Sequence, residues 1–319
     1  MAGLAIVIAP LPGPYTVMGE LAREAEDAGF TGACVPELTN DGLMCCYLMA
    51  TATKKIRLIT WIVNVYFRQP ALCAAASVMV QEVSDGRLTL GLGVSHRPFM
   101  QALGIDMGNA RDKLRSFTVA IRKILNGELN IGVPFRKPKT PIPIYYGALA
   151  LETARLAGEL ADGVELYMCP TDRMRKLADA ARQTAASHGR KPSDIAVTVG
   201  LPTFVDDDLE RAYDAARQNL FFYPALPFYN RQLVKSGFEA EAKAVTDAVQ
   251  RGDQKAQQAA MSNRLLDAVA LVGPASRCIE RLAAFRQAGA EMPILVPSMG
   301  GSDPAAGIRQ VIKAFSKAV

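Results

Sequence analysis

Histidine is scarce in this chain: 319 residues include two, His96 and His188. A His-rich metal site is thereby excluded, since such sites need several imidazoles or thiolates at fixed spacing. The six cysteines, Cys34, Cys45, Cys46, Cys73, Cys169 and Cys278, form no C-x-x-C pair, and most lie in apolar runs. That is the pattern of buried free thiols in a reducing compartment. There is no run of the ~18 apolar residues that a membrane span requires. The apolar stretch Met1–Pro10 lacks a basic flank and is too short for a signal peptide, so a cytoplasmic location is expected. Blocks of like charge are also missing. Lys and Arg number 36 against 31 Asp and Glu, a net charge of +5, but they are dispersed, which argues against a nucleic-acid partner.

What is present is a chain that is 50% hydrophobic and 21% charged, long enough to bury about three quarters of its unfolded surface without staples. Short apolar runs alternate with amphipathic ones. Strands are predicted at Leu4–Ile8, Ala33–Glu37, Ile56–Val63, Leu88–Gly93, Ile142–Tyr146, Val164–Met168, Ile195–Val205 and Ile294–Pro297. Helices are predicted between them, among them Met44–Ala52, Pro70–Val83, Arg111–Asn126, Glu152–Ala161 and Asp172–His188, with a last one from Pro304 to Ala318. Near-continuous hydrophobicity marks strands buried on both faces of a parallel sheet. Eight of them favour a closed α/β (β/α)8 TIM barrel over an open doubly wound sheet, in one domain spanning 1–319. The rhythm breaks after the seventh strand. A helical insertion at about 206–270 is expected, with no strand between Val205 and Ile294. Its aromatic group, Phe221, Phe222, Tyr223, Phe228 and Tyr229, is either a mini-core or a hydrophobic wall over a substrate pocket.

In a barrel the residues just past the C-terminal strand ends face the active site. Gly91 to His96 ends the fourth strand there. It fails as a dinucleotide fingerprint because His96 stands where Gly is needed. It fails as a nucleophile elbow because Arg97 does, although Ser95 beside His96 leaves a serine hydrolase as a minor alternative. His96 suits a proton donor, whereas His188, at a helix end, suits the helix dipole. Glu37, on an apolar strand, is either a rim acid with a pKa raised by burial or a rim salt bridge. Gly147, Ala148, Leu149 and Ala150 precede a helix whose free N–H groups suit a phosphate.

The runs Ile56–Asn64, Arg68-Gln69-Pro70-Ala71, Asp85–Gly93, Pro143–Gly147 and Arg155–Gly163 together resemble the bacterial luciferase-like family of flavin- and deazaflavin-dependent oxidoreductases. Gly93-Val94-Ser95-His96-Arg97-Pro98 with Leu103-Gly104-Ile105 is most similar to the branch near methylenetetrahydromethanopterin reductase. The resemblance implies coenzyme F-420, an 8-hydroxy-5-deazaflavin, with FMN as the alternative. It implies hydride transfer to or from a small organic substrate, or else an FMN-dependent monooxygenase; a non-catalytic flavin-binding relative is a further alternative. It places a cis peptide at Trp61-Ile62 against the ring and Asn64 at the ring's polar edge. Gly93, Val94, Ser95 and His96 fall beside the cofactor, and Gly147 to Ala150 at its phosphate. Leu38 departs from the family's common His, which leaves Glu37 or His96 as the acid. A homodimer is expected, because the family is commonly dimeric and Met44–Ala52 and Pro70–Val83 are unusually apolar for barrel helices.

Overall fold

The computed structural model describes residues 3–10, 12–298 and 303–318. Aliphatic runs bounded by turns become the parallel strands β1 (Ala5–Val7), β2 (Gly32–Val35), β3 (Arg57–Asn64), β4 (Leu88–Gly93), β5 (Ile144–Gly147), β6 (Gly163–Tyr167), β7 (Ala196–Val205), β8 (Leu271–Gly273) and β9 (Met292–Pro297). Strands β1 to β7 pair in sequence, β7 pairs with β9, and β9 returns to β1. That ring of eight is the closed barrel expected of a (β/α)8 fold. Strand β8 stands outside it, paired only with the end of β7 through Thr203↔Leu271 and Val205↔Gly273. The expectation of no strand between Val205 and Ile294 is thus corrected. Three residues directly after a helix ending at Val269 are too few to show a period of their own.

Alternation along each strand sends one set of side chains inward and the other outward. Ala5, Val7, Cys34, Ile59, Met292 and Ile294 fill the interior of the ring. Leu58, Leu90, Ile144 and Val164 face the outer helices and join the main core. Those helices start where their caps dictate. Pro70 opens Pro70–Val83 at the first position, where its missing N–H costs nothing. Asp41 caps Gly42–Ala52 by accepting from the N–H groups of Leu43 and Met44. At the opposite end of the barrel Arg87 gathers the elements. Its guanidinium donates to the carbonyls of Ser84, Ile56, Ala50 and Thr53 and to the Thr53 hydroxyl.

Residues 206–270 hold five helices, Leu209–Leu220, Pro227–Val234, Glu239–Gln250, Gln254–Ala259 and Asn263–Val269. All but Gln254–Ala259 share a second apolar cluster that includes Tyr213, Leu220, Leu226, Tyr229, Leu233 and Leu265 and reaches Met168 and Phe204 of the barrel. All six cysteines are buried and free. Among the described residues no helix is long and apolar enough to cross a membrane.

Candidate active site

The C-terminal strand ends open into a cavity of about 530 Å³ between the barrel and the insertion. Strand β3 supplies its floor. The Trp61–Ile62 peptide is cis, and the β3–β4 register slips between Thr60 and Val63. Ile62 lies across two glycines. A Cβ on Gly93 would come within 2.6 Å of the Ile62 side chain, and one on Gly147 within 3.3 Å. Small residues at the ends of β4 and β5 therefore let Ile62 stand in the barrel mouth. Trp61 crosses the barrel instead. Its indole lies where a Cβ on Gly200 would be, 2.3 Å away, and it meets the Tyr167 ring edge-on at 5.1 Å.

After β4 the chain turns through Ser95, which takes a positive φ of 60°, a conformation uncommon outside glycine. His96 follows and lies between Phe99 and Tyr229, with ring centroids 5.6 and 5.5 Å away. Its Nδ1 is buried without a partner. Burial pushes its pKa below the ordinary histidine value, so the ring is neutral at pH 7. A serine-hydrolase arrangement needs a third group to orient the histidine; the orphaned Nδ1 has none. After β5, Gly147 to Ala150 lead into the helix Leu151–Leu160, which no side chain caps, and whose first residues Glu152 and Thr153 line the cavity.

Glu37 resolves toward the salt bridge. Its Oε2 accepts from Arg68 and from the Gly42 N–H at 2.9 Å, and its Oε1 from the Asn64 N–H at 3.0 Å. Burial pushes its pKa up, while the guanidinium and the two N–H groups oppose the shift. With its lone pairs committed, the carboxylate ties β2 to β3 and to the next helix at the cavity edge. Asn64 is tied to the loop that follows β3. Its Oδ1 accepts from the Tyr66 N–H at 3.0 Å and its Nδ2 faces the Met100 sulfur, so the side chain is spent on the loop and does not line the cavity. His188 is exposed, with Nδ1 2.9 Å from the Thr184 carbonyl.

One functional candidate went unread. Glu165 on β6 points inward onto the cavity floor, buried, with neither carboxyl oxygen hydrogen-bonded. Gly91 makes its room, for a Cβ there would lie 2.3 Å from Oε2. Desolvation pushes its pKa well above the ordinary carboxylate value, which favours its protonated form. The available signal was a lone acid at an inward position of a buried strand. The remaining wall is aromatic: Tyr167, Tyr223 and Tyr229 pack with centroids 5.1 Å apart at two of their contacts, and Phe222 and Phe228 extend it. The insertion's aromatics are thus wall as well as mini-core. Among the described residues no cluster of three or more His, Cys, Asp or Glu is placed to hold a metal.

Residues 8–292 match the model of a family described as luciferase-like monooxygenase. Over 285 residues, 84% of this chain and 86% of the relative, the chain is 27% identical to the 5,10-methylenetetrahydromethanopterin reductase of Methanolobus tindarius. The coenzyme F420-dependent tetrahydromethanopterin reductase of Methanopyrus kandleri has a similar structure, with a TM-score of 0.80 at 21% identity over 100% of this chain and 99% of that one. A type II Baeyer–Villiger monooxygenase component from Pseudomonas putida, solved with FMN, gives 0.69 at 16% over 99% and 97%. The structural likenesses show the barrel that these chains share.

Proposed function

The chain belongs to the luciferase-like monooxygenase family and is an oxidoreductase, and on that premise we propose that it transfers a hydride between reduced coenzyme F420 and a small uncharged organic substrate. The observation that carries this reading is the Ile62 platform, seated over Gly93 and Gly147 and facing an apolar cavity large enough for a flat tricyclic ring. The fit extends to the ends of that ring system: the uncapped helix start after Ala150 suits a phosphate, and the orphaned His96 Nδ1 awaits a partner. A structural neighbour named as a coenzyme F420-dependent reductase supports the deazaflavin.

When bound, the deazaflavin supplies the hydride from one face of its ring. Ile62 would cover the other face, leaving the substrate one side from which to approach. The aromatic wall of Tyr167, Tyr223 and Tyr229 holds that substrate and excludes water, which strengthens polar interactions inside. His96, at the wall, is placed to give or take a proton as charge builds on the substrate. Arg111, exposed at the rim, is the one Lys or Arg along the described lining, which disfavours a substrate whose anionic group must be buried deep.

Titrating the purified chain with F420 and with FMN, followed by fluorescence, tests this reading. Binding of the deazaflavin at least tenfold tighter than FMN is expected. The reverse order would replace it with an FMN-dependent monooxygenase, for which the FMN-bound neighbour is the precedent.

A further inference from the structure

The two residues of the cis peptide part over the barrel mouth. Ile62 lies over the ends of β4 and β5, at Gly93 and Gly147, whereas Trp61 reaches across to β7 at Gly200. Between β5 and β7 runs β6, which sends in Glu165 and, two residues later, Tyr167. The Tyr167 ring closes on Trp61. Glu165 is level with Gly147 in the sheet register, and its side chain leans toward Gly91, where a Cβ would stand 2.3 Å from Oε2. Gly91 is one inward position below Gly93. The carboxyl group is therefore a step deeper than Ile62, at the foot of the gap between Ile62 and Trp61. It lines the main cavity all the same.

Glu165 is 3% exposed, and among the described residues nothing pairs with either of its oxygens. Glu37, on the same cavity, shows what a structural carboxylate has here: a guanidinium and two N–H groups. Around Glu165 the polar neighbours are of the wrong kind. The point where a Gly91 Cβ would stand is 2.0 Å from the Thr60 carbonyl oxygen, so Oε2 has an acceptor near it rather than a donor. Cys34 of β2 and Tyr145 of β5, which feel its charge, are buried and bring no positive charge of their own. A buried polar group without a partner is a standing cost to the fold, and a ligand that pairs it recovers that cost. In its protonated form a carboxyl group offers one donor and one acceptor side by side. Its complement is a cis amide edge, a C=O beside an N–H, which it meets with two hydrogen bonds at once. The pyrimidinedione end of flavin and deazaflavin rings carries such an edge; the benzenoid end does not.

We propose that Glu165 receives the imide edge of the flat ring that rests on Ile62, its hydroxyl donating to a ring carbonyl and its carbonyl accepting from the ring N–H. It thereby selects which end of the ring enters the barrel. The proposal rests on the reading of the main cavity as the seat of such a ring, and it applies to a deazaflavin and to FMN alike.

The test titrates wild type, Glu165→Gln and Glu165→Met with F420 and with FMN, followed by fluorescence. Gln keeps a donor and an acceptor side by side and should hold the better-binding ring within threefold of wild type. Met keeps the length of the side chain but neither function, and should weaken that ring at least tenfold. Since it removes an unpaired polar group, Glu165→Met should also raise the thermal midpoint of the ligand-free chain. Methylating the imide nitrogen of the ring removes the N–H without touching the protein. It should weaken binding to wild type at least tenfold and to Glu165→Met less than threefold, as two changes to one contact do. Equal affinity of Glu165→Met and wild type overturns the proposal, as does a Gln variant as weak as Met, or a methylated ring that loses equally on both. A lowered midpoint in Glu165→Met overturns it too, because the acid would then serve the fold through the Thr60 carbonyl. If FMN binds more tightly than F420, the deazaflavin reading falls and the same comparisons made with FMN decide the role of Glu165. If neither ring binds, both fall.

Discussion

A carboxyl group taken out of water with no donor or cation beside it keeps its proton, and Glu165 is in that position. Between the ordinary carboxylate pKa and its raised native value, the folded chain binds a proton that the unfolded chain has released. Stability therefore drains away as pH rises through that window, by about 1.4 kcal/mol per unit. Glu165→Gln is uncharged throughout, so its unfolding midpoint should fall less than that of wild type as pH is raised above the ordinary carboxylate pKa. Parallel curves would mean that Glu165 titrates normally. His96 shifts the other way, below the ordinary histidine value. If it acts as the acid, turnover should decline as pH rises through a midpoint under 6.5, and His96→Ala should cost ~10²-fold and lose that limb. An undiminished rate with cofactor binding intact would remove it from the mechanism. His96 was legible as the one histidine in a strand-end loop. Glu37 was legible as a rim carboxylate, but its role was decided by Arg68, thirty-one positions away along the chain, a pairing that no local pattern announces.

At the scale of elements, the two ends of the barrel do different work. The end opposite the site is held by Arg87, whose donors reach a helix C-terminus, the start of β3 and the turn before β4. Arg87→Ala leaves several of those carbonyls unpaired and should destabilise the fold by about 3 kcal/mol. Deazaflavin affinity should stay within twofold, and a large loss of binding in the folded variant would contradict this separation. The strands were readable because burial on both faces makes them continuously aliphatic, and the Pro70–Val83 helix because proline marks its start. The short helix Arg97–Ala102 and β8 were not, since six and three residues do not establish a period against their neighbours.

For the molecule as a whole, eight alternating units were enough to foretell ring closure, because a parallel sheet of that length with both faces covered is satisfied by joining its edges. Its surface carries one further expectation. Met44 on Gly42–Ala52, and Leu72, Met79 and Val83 on Pro70–Val83, are all exposed, Leu72 by 64%. A second copy covering them would make the chain a dimer in sedimentation at micromolar concentration, and Leu72→Glu with Met79→Glu should return it to monomer. A clean wild-type monomer would count against that arrangement. The path of the chain around β8 has a different consequence. It leaves the ring at Val205 and is back at Leu271, beside Thr203 on the same strand. The segment between them thus begins and ends at one strand tip, as a cassette does, and its exchange for another need not disturb ring closure. Such a graft would bring a new aromatic wall, while Ile62, His96 and Glu165 stayed behind. Preference for one substrate over another can then be inherited, or engineered, separately from the machinery that handles the hydride.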